Sequence, residues 1–312
     1  MKYIAVCLKG LEEITEKETK GKKILESRIQ FSAKPKNFKS AIKVYKLLNQ
    51  FKFKEKEEIL NNFKTLKIKI KNRFKVECNR KGQHNFKSVD IEKLIGIHLQ
   101  KQNYKLDFKT PETIILIDIL DNNCLIGLLE KDNLQKRNYR IKLNPETLNP
   151  CIAFAALKLI NLKKEDILVD PYCRDGIIVI EAALMKKCKI YGLDKNIRNS
   201  RINSKIAKVK ISLSQEEIDW LDTKFKKNSV KVATYLPSVS KRNNENDIRK
   251  LYSEFSHQLG YIVKEYVVLI VKKPEIIKEY LTNFKIITEK IVEIGSDNYY
   301  IISLKKKYLN IV

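Results

Sequence analysis

The chain has 312 residues, 43% of them apolar, which is enough for two or three buried cores and excludes global disorder. Its 63 Lys and Arg against 37 Asp and Glu leave a formal charge of +26. That excess is spread along the chain and suits a polyanionic partner, nucleic acid ahead of a membrane surface, and no stretch approaches the roughly 18 uninterrupted apolar residues of a membrane-spanning helix.

Along the chain, KYIAVCL reads as a strand and LEEITEKETK as a helix after the turn at Gly10. ESRIQFSA returns as a strand, and FKSAIKVYKLLNQF repeats apolar residues at helical spacing, so residues 1–60 are expected to form one lysine-dense α+β unit. A second unit, residues 61–133, opens with the period-two runs IKIK and FKVEC, continues with a helix capped by Ser88, and closes with strands TIILIDIL and CLIGLLEK. The polar stretch 134–150, with two prolines and little periodicity, is expected to be a linker.

From residue 151 onward, helices and strands alternate: CIAFAALKLI, DILVD, IIVIEAALMKK, KIYGLD, NIRNSRINSKIAK, VKISL, VKVATYL, DIRKLYSEFSHQLGYIVK and YVVLIV. A helix starting at Pro274 and two last strands, IITEKIVEI and YYIISLKKK, complete the chain. Alternation of this kind predicts an α/β fold with a mostly parallel sheet wound on both faces, the last pair forming an edge hairpin.

The six cysteines form no CxxC pair, and His84, His98 and His257 lie far apart, so no metal site is expected. MKYIAVCLKGLEE turns charged too soon for a secretory signal, and free thiols without one point to the cytoplasm.

Chemistry is expected where strands end. DPYCRDG, residues 170–176, follows the first strand of the second half, and its glycine lets backbone approach a ligand. Asp194 ends the next strand, a place from which a carboxylate can accept both hydroxyls of a ribose. There is neither GxGxxG nor GxxxxGK[ST], so two acids and a glycine suit an adenosine ligand without phosphates better than a nucleotide.

These stretches carry a family resemblance. DPYCRDGIIVIEAAL resembles the D-P-x-C-G-S-G-T-x-x-I-E-A-A signature of RNA methyltransferases, and IYGLDKNIRNSRINSKIA their next motif. VKVATYLPSVSKRNNENDIRKLYSEF stands where they carry V-T-N-P-P-Y-G-x-R…LY-x-x-F. KGLEEITEKE, FKVECNRKGQHNFKSVDIEKLIG and RNYRIKLNPETLNPCIAFAAL are similar to the opening, the THUMP run and the junction of the same family. Taken in order, they cover nearly the whole chain and resemble THUMP-containing tRNA methyltransferases of the archaeal guanosine-N2 type.

The resemblance implies a Rossmann-like class I methyltransferase domain over residues 151–312, preceded by ferredoxin-like (1–60) and THUMP (61–133) domains, with S-adenosylmethionine as cofactor and tRNA as partner. It implies that Asp170, Tyr172, Cys173 and Gly176 line the methionine end of the cofactor, that Asp194 holds the ribose, and that Lys195, Asn196 and Asp219 lie near the adenine. The catalytic motif maps onto Thr234, Tyr235, Leu236, Pro237 and Ser238. Two departures stand out: Arg174 and Asp175 replace small residues of the turn, and Tyr235-Leu236-Pro237-Ser238 replaces N-P-P-Y. With the amide gone, Tyr235 is expected to stack on the target base, or the loop to be inactive in a protein that binds RNA alone.

For RNA contact, the basic cluster Arg73, Lys75, Arg80, Lys81, His84 and Lys87 is expected to neutralise phosphates, with Phe74 and Phe86 as core anchors. Arg137 and Arg140 in the linker are candidates for the same role. Trp220, the sole tryptophan, is expected to pack against a helix, and a monomer is the default.

Overall fold

The computed structural model describes residues 1–185, 188–240 and 243–307. The chain divides into two compact units, Met1–Cys7 with Thr15–Leu134, and Leu8–Ile14 with Gln135 onward. The elements up to Lys131 are β1 (Tyr3–Cys7), α1 (Glu12–Thr19), β2 (Lys22–Leu25), β3 (Arg28–Phe31), β4 (Ala41–Lys52), α2 (Lys56–Lys64), β5 (Arg73–Lys81), α3 (Ser88–Gln100), β6 (Lys105–Leu106), β7 (Thr113–Leu120) and β8 (Asn123–Lys131).

In the first unit the strands form one eight-stranded sheet, in the order β2-β3-β1-β4-β8-β7-β5-β6. A single sheet therefore runs through both segments that the sequence reading separates at residue 60. FKSAIKVYKLLNQF, expected as a helix, is mostly β4, paired antiparallel with β1 and β8. Bulges at Val44/Tyr45 and Leu47/Asn49 break the period of two, so its apolar residues fall at spacings that imitate a helix. Ile42, Val44, Tyr45 and Phe51 suit a strand flanked on both sides.

One face of this sheet packs α2 and α3 over a core that includes Phe74, Phe86, Ile91 and Ile95, so both phenylalanines are the anchors they were expected to be. Elsewhere in the sheet, the fully buried Asp118 accepts from Arg28 Nε at 2.5 Å and Nη2 at 2.6 Å, and from the Tyr45 hydroxyl at 2.9 Å. A buried carboxylate is tolerable because its oxygens are satisfied in this way.

The second unit contains α4 (Pro150–Leu159), β9 (Ile167–Asp170), α5 (Ile177–Met185), β10 (Lys189–Asp194), α6 (Arg198–Ile206), β11 (Ser212–Gln215), a 3-10 turn at Ile218–Trp220, α7 (Leu221–Lys224), β12 (Val230–Tyr235), α8 (Glu245–Ile262), β13 (Val263–Val271), α9 (Pro274–Tyr280), β14 (Phe284–Ile294) and β15 (Asp297–Lys306). Lys186 and Lys187, expected to continue α5, and Lys241 and Arg242, within the catalytic block, lie outside the described residues. The seven strands run β11-β10-β9-β12-β13-β15-β14, parallel from β11 to β13, with β15 and β14 antiparallel. This is the doubly wound sheet with an edge hairpin that the alternation predicts.

The order places the switch of winding direction between β9 and β12, because the chain leaves β9 towards β10 and β11 and returns on its other side. Crevices form at the carboxyl ends of strands at such a point. Asp170, Asp194 and Tyr235 end β9, β10 and β12. The stretch expected as a linker is folded into this unit from Gln135 on, since Arg137, Tyr139 and Leu148 are buried.

Candidate active site

The turn after β9 is built by its own backbone. Gly176 (φ +85°) donates to the Cys173 carbonyl at 2.6 Å and opens α5; a Cβ there would come within 3.0 Å of Ser200 Cβ, so the close approach of α6 also requires glycine. Arg174 adopts φ +47°, a left-handed conformation that non-glycine residues hold at a cost. Its N–H donates to Asp194 Oδ2 at 2.9 Å, and the Asn196 N–H donates to Oδ1 at 3.0 Å. Those two bonds orient the carboxylate and leave it lone pairs for two further donors.

A cavity of about 580 Å³ opens here, lined by Pro171, Tyr172, Arg174, Asp194, Asp219 and Pro237, among others. Its volume falls in the range of small-ligand sites, roughly 300–1,000 Å³. Glu146 borders it from the segment before α4, and Asp247, Lys250, Leu251 and Glu254 from α8. Helix α8 presents them because its opposite stripe, Ile248, Tyr252, Phe255 and Leu259, is buried in the core, and the Asn244 side chain caps it by accepting from Asp247 N–H at 2.9 Å.

Asp170 is buried, accepts from the Tyr172 N–H at 3.2 Å, and has its carboxyl pushed up to about 7 by burial. The Thr234 hydroxyl and that N–H partly offset the rise, although the hydroxyl makes no hydrogen bond of standard geometry. The residues present fit S-adenosylmethionine. Asp194 and Asp219 offer acceptors for a ribose and an exocyclic amine, and the buried Tyr172 hydroxyl, on a residue of the lining, has no partner among the described residues.

Of the residues expected at the cofactor, Tyr172, Asp194, Lys195 and Asp219 line the cavity. Asp170 is buried and is not part of the lining, and Asn196 accepts from the Arg198 N–H at 3.1 Å. Cys173 points away, with its Sγ 3.1 Å from the position a Cβ on Gly192 would take, so its side chain packs the core instead of lining the ligand. Asp219 is the cavity acid of the IDWLD stretch. Asp222 instead donates its N–H to Gln258.

The catalytic block is corrected in part. β12 is buried along its whole length, so Thr234 faces inward, and Leu236 belongs to the hydrophobic core. Tyr235 is not available to stack on a base. Its ring lies 4.6 Å beneath the Arg174 guanidinium and 6.0 Å from the Tyr299 ring, and burial pushes its hydroxyl up to about 12. Pro237 alone of the five lines the cavity, held by a 2.6 Å hydrogen bond from the Tyr252 hydroxyl to its carbonyl; the Ser238 hydroxyl is buried without a partner among the described residues. Trp220, expected to pack on a helix, is 59% exposed.

Two RNA candidates are also corrected. Arg137 Nε donates to the buried Glu181 at 2.8 Å, and Arg140 Nη2 to the buried Asp175 at 2.9 Å. Both guanidinium groups compensate interior carboxylates and are not presented to a phosphate. In the first unit, Arg73 pairs with Glu112 and Asp107, Lys75 with Glu77, and Lys81 with Glu26. Arg80 contacts His84 Nδ1 at 2.9 Å and lies over Phe86, while Lys87 is exposed. Alternation along β5 puts Arg73, Lys75 and Lys81 on the face opposite Arg80, so the cluster is not one continuous patch.

The acids of α8, together with Glu146, are residues the sequence reading missed as cavity walls, whereas Arg174, singled out there as a departure in the turn, does line it. Asp247, Leu251 and Glu254 follow helical spacing opposite the apolar stripe, a signal that was present.

A 27% identical stretch of 240 residues relates the chain to the tRNA (guanine(6)-N2)-methyltransferase of Methanocaldococcus jannaschii, covering 60% of this chain and 63% of that protein. The protein of the same name from Archaeoglobus fulgidus is 31% identical over 121 residues, 36% of this chain and 31% of the relative. The chain thus matches less than two thirds of the length of either. In fold it resembles the crystal structure of TrmN from Thermus thermophilus, with a TM-score of 0.84 at 19% identity over 98% of this chain and 99% of that one. Residues 44–129 match the THUMP domain, starting earlier than the boundary expected at residue 61. Residues 137–299, more than half of the chain, match the RMKL-like methyltransferase domain, and the chain belongs to that methyltransferase family.

Proposed function

We propose that the protein methylates a tRNA base, the N2 amine of a guanosine, using S-adenosylmethionine, with the THUMP unit docking the tRNA. The observation that carries this reading is the convergence of Asp194, Asp219 and the Arg174 turn on one cavity at the switch point of a methyltransferase sheet. The names of the two archaeal relatives support the choice of tRNA and of guanine N2.

S-adenosylmethionine, when bound, supplies an electrophilic methyl group. The chain's own part is binding and orientation, because methyl transfer from a sulfonium needs no strong base. Asp194 would accept hydrogen bonds from the ribose hydroxyls, and Asp219 from the adenine amine. A flipped guanine would enter beside Pro237, and an α8 carboxylate of the cavity lining, Asp247 or Glu254, would accept a hydrogen bond from its amine and the proton released on transfer. Asp175 takes no part in proton transfer: Arg140 and the Thr147 hydroxyl, at 2.7 Å, hold it in the interior.

A second reading, an RNA-binding protein without transferase activity, draws on Tyr235, which stands where the family motif has an amide and is itself buried. Incubation with unmodified tRNA and methyl-labelled S-adenosylmethionine, followed by mass spectrometry of the nucleosides, separates the two. Labelled N2-methylguanosine establishes the first reading. Tight tRNA binding with no label, at any nucleoside, favours the second.

A further inference from the structure

The two residues by which the catalytic motifs depart from their family pattern touch each other. Arg174 stands in the cofactor turn where a small residue is usual, and Tyr235 in the target loop where an amide is usual. The guanidinium lies 4.6 Å over the Tyr235 ring, and its Nη1 donates to the Tyr235 carbonyl. Ring and carbonyl fix one face of a long, otherwise mobile side chain, which removes much of the entropy cost of using it as a ligand contact.

The other side of the guanidinium looks towards the cavity that Arg174 lines. There it meets Glu146, at 3.5 Å from Nη2. This is an ion pair without a hydrogen bond, between a side chain 12% exposed and one 43% exposed. The planar fork, with several donors, is thus held in place against a loosely held carboxylate at the mouth of a ligand cavity.

Carboxylates outnumber cations in the cavity lining. Lys195 is 73% exposed and pairs with Glu217 at 3.1 Å, and Lys250 is exposed on α8. Such a lining favours a cationic ligand and repels an anionic group. A ligand that carries a carboxylate as well can be admitted only if that carboxylate is given a cation of its own, and Arg174 is the cation at the turn.

We infer that Arg174, seated on Tyr235, is the anchor for the α-carboxylate of the cofactor's amino-acid portion, and that Glu146 occupies this anchor when no ligand is bound. The inference rests on the reading of the cavity as a cofactor site. Tyr235 is a positioning residue in this scheme. Its aromatic ring and carbonyl aim the guanidinium, and no contact with the target base is required of it.

The test is calorimetry on the full chain with S-adenosylhomocysteine and with its decarboxylated analogue, which differ only in the carboxylate. The wild-type protein is expected to prefer the carboxylated ligand by about tenfold or more, the worth of a charge-assisted hydrogen bond. Arg174→Met should bring that ratio to about one by weakening the carboxylated ligand alone, and Arg174→Lys should retain part of it. Glu146→Gln, at an exposed position that tolerates change, should raise affinity for the carboxylated ligand by about threefold and leave the analogue unaffected, because it removes a competing surface ion pair.

Equal affinities for the two ligands in the wild-type protein, or an unchanged ratio in a folded Arg174→Met, would overturn the assignment of Arg174 and leave the cofactor site standing. Should Arg174→Met fail to fold, Glu146→Gln decides, and an effect on both ligands alike would count against the anchor. Binding of neither ligand to the folded wild-type protein would remove the cofactor reading itself, and the anchor with it.

Discussion

The guanidinium of Arg174 lies over the ring of Tyr235 at 4.6 Å and donates to the carbonyl of the same residue. One pair therefore ties the turn after β9 to the end of β12. Each residue departs from the family motif, and each is understandable only beside the other. Tyr235 is 6% exposed, so Tyr235→Ala should cost about 3 kcal/mol in denaturant unfolding, as truncation of a buried aromatic does. A double-mutant cycle of Arg174→Met and Tyr235→Leu should show a coupling of about 1–2 kcal/mol. Additive losses would mean that the contact carries no energy.

Asp170 sets a pH dependence. Burial raises its carboxyl from 3.8 to about 7, so the folded state favours the protonated form. Its stabilising contribution is fully present below about pH 4 and is lost as pH rises through about 7. Asp170→Asn keeps the shape and cannot ionise. It should stabilise the ligand-free protein by on the order of 4 kcal/mol at pH 8 and by about 1.5 kcal/mol at pH 5. Thermal melts at the two pH values check this, and equal shifts at both would show that ionisation is not the cause.

The parts of the fold that were legible in the sequence are those where local pattern and tertiary role coincide. Strand DILVD with its turn, strand KIYGLD and helix α8 each carry a clean period, and Asp194 shows itself by ending a strand. β4 was not legible, because its bulges at Val44/Tyr45 and Leu47/Asn49 replace alternation with spacings that belong to a helix. Arg137 and Arg140 looked like linker charges because their partners lie 44 and 35 residues away, on α5 and in the turn after β9. Nothing near them in sequence announces a buried carboxylate. For the same reason Tyr235 looked free to stack, since its seat beneath Arg174 is made by a residue 61 positions earlier.

Trp220 offers a direct optical report on the cavity. It is the sole tryptophan of the chain, 59% exposed, and follows Asp219 of the cavity wall in sequence. Ligand docking at Asp219 should withdraw water from the indole. Titration with S-adenosylhomocysteine is therefore expected to shift the emission to shorter wavelength with saturation. Asp194→Ala should abolish the shift, lowering affinity by about a hundredfold through loss of two charge-assisted hydrogen bonds. A normal titration in that variant would remove Asp194 from the ribose site.

The pair Arg140–Asp175 separates structural from RNA-binding arginines. Both Nε and Nη2 donate to Asp175 Oδ2, at 3.0 and 2.9 Å, and the side chains are 11% and 1% exposed. Arg140→Ala would strand a carboxylate in the interior, a change that typically costs about 3–5 kcal/mol. Arg140→Met combined with Asp175→Asn should lose distinctly less, because no uncompensated charge remains. If Arg140 serves the interior alone, the double variant will bind tRNA with wild-type affinity and the same salt dependence in filter binding. A protein that contacts phosphate through Arg140 would show a weaker complex and a shallower slope, by about one counterion. The burial of both partners makes the first outcome the expected one, and it would assign the salt dependence of tRNA binding to basic residues other than Arg140.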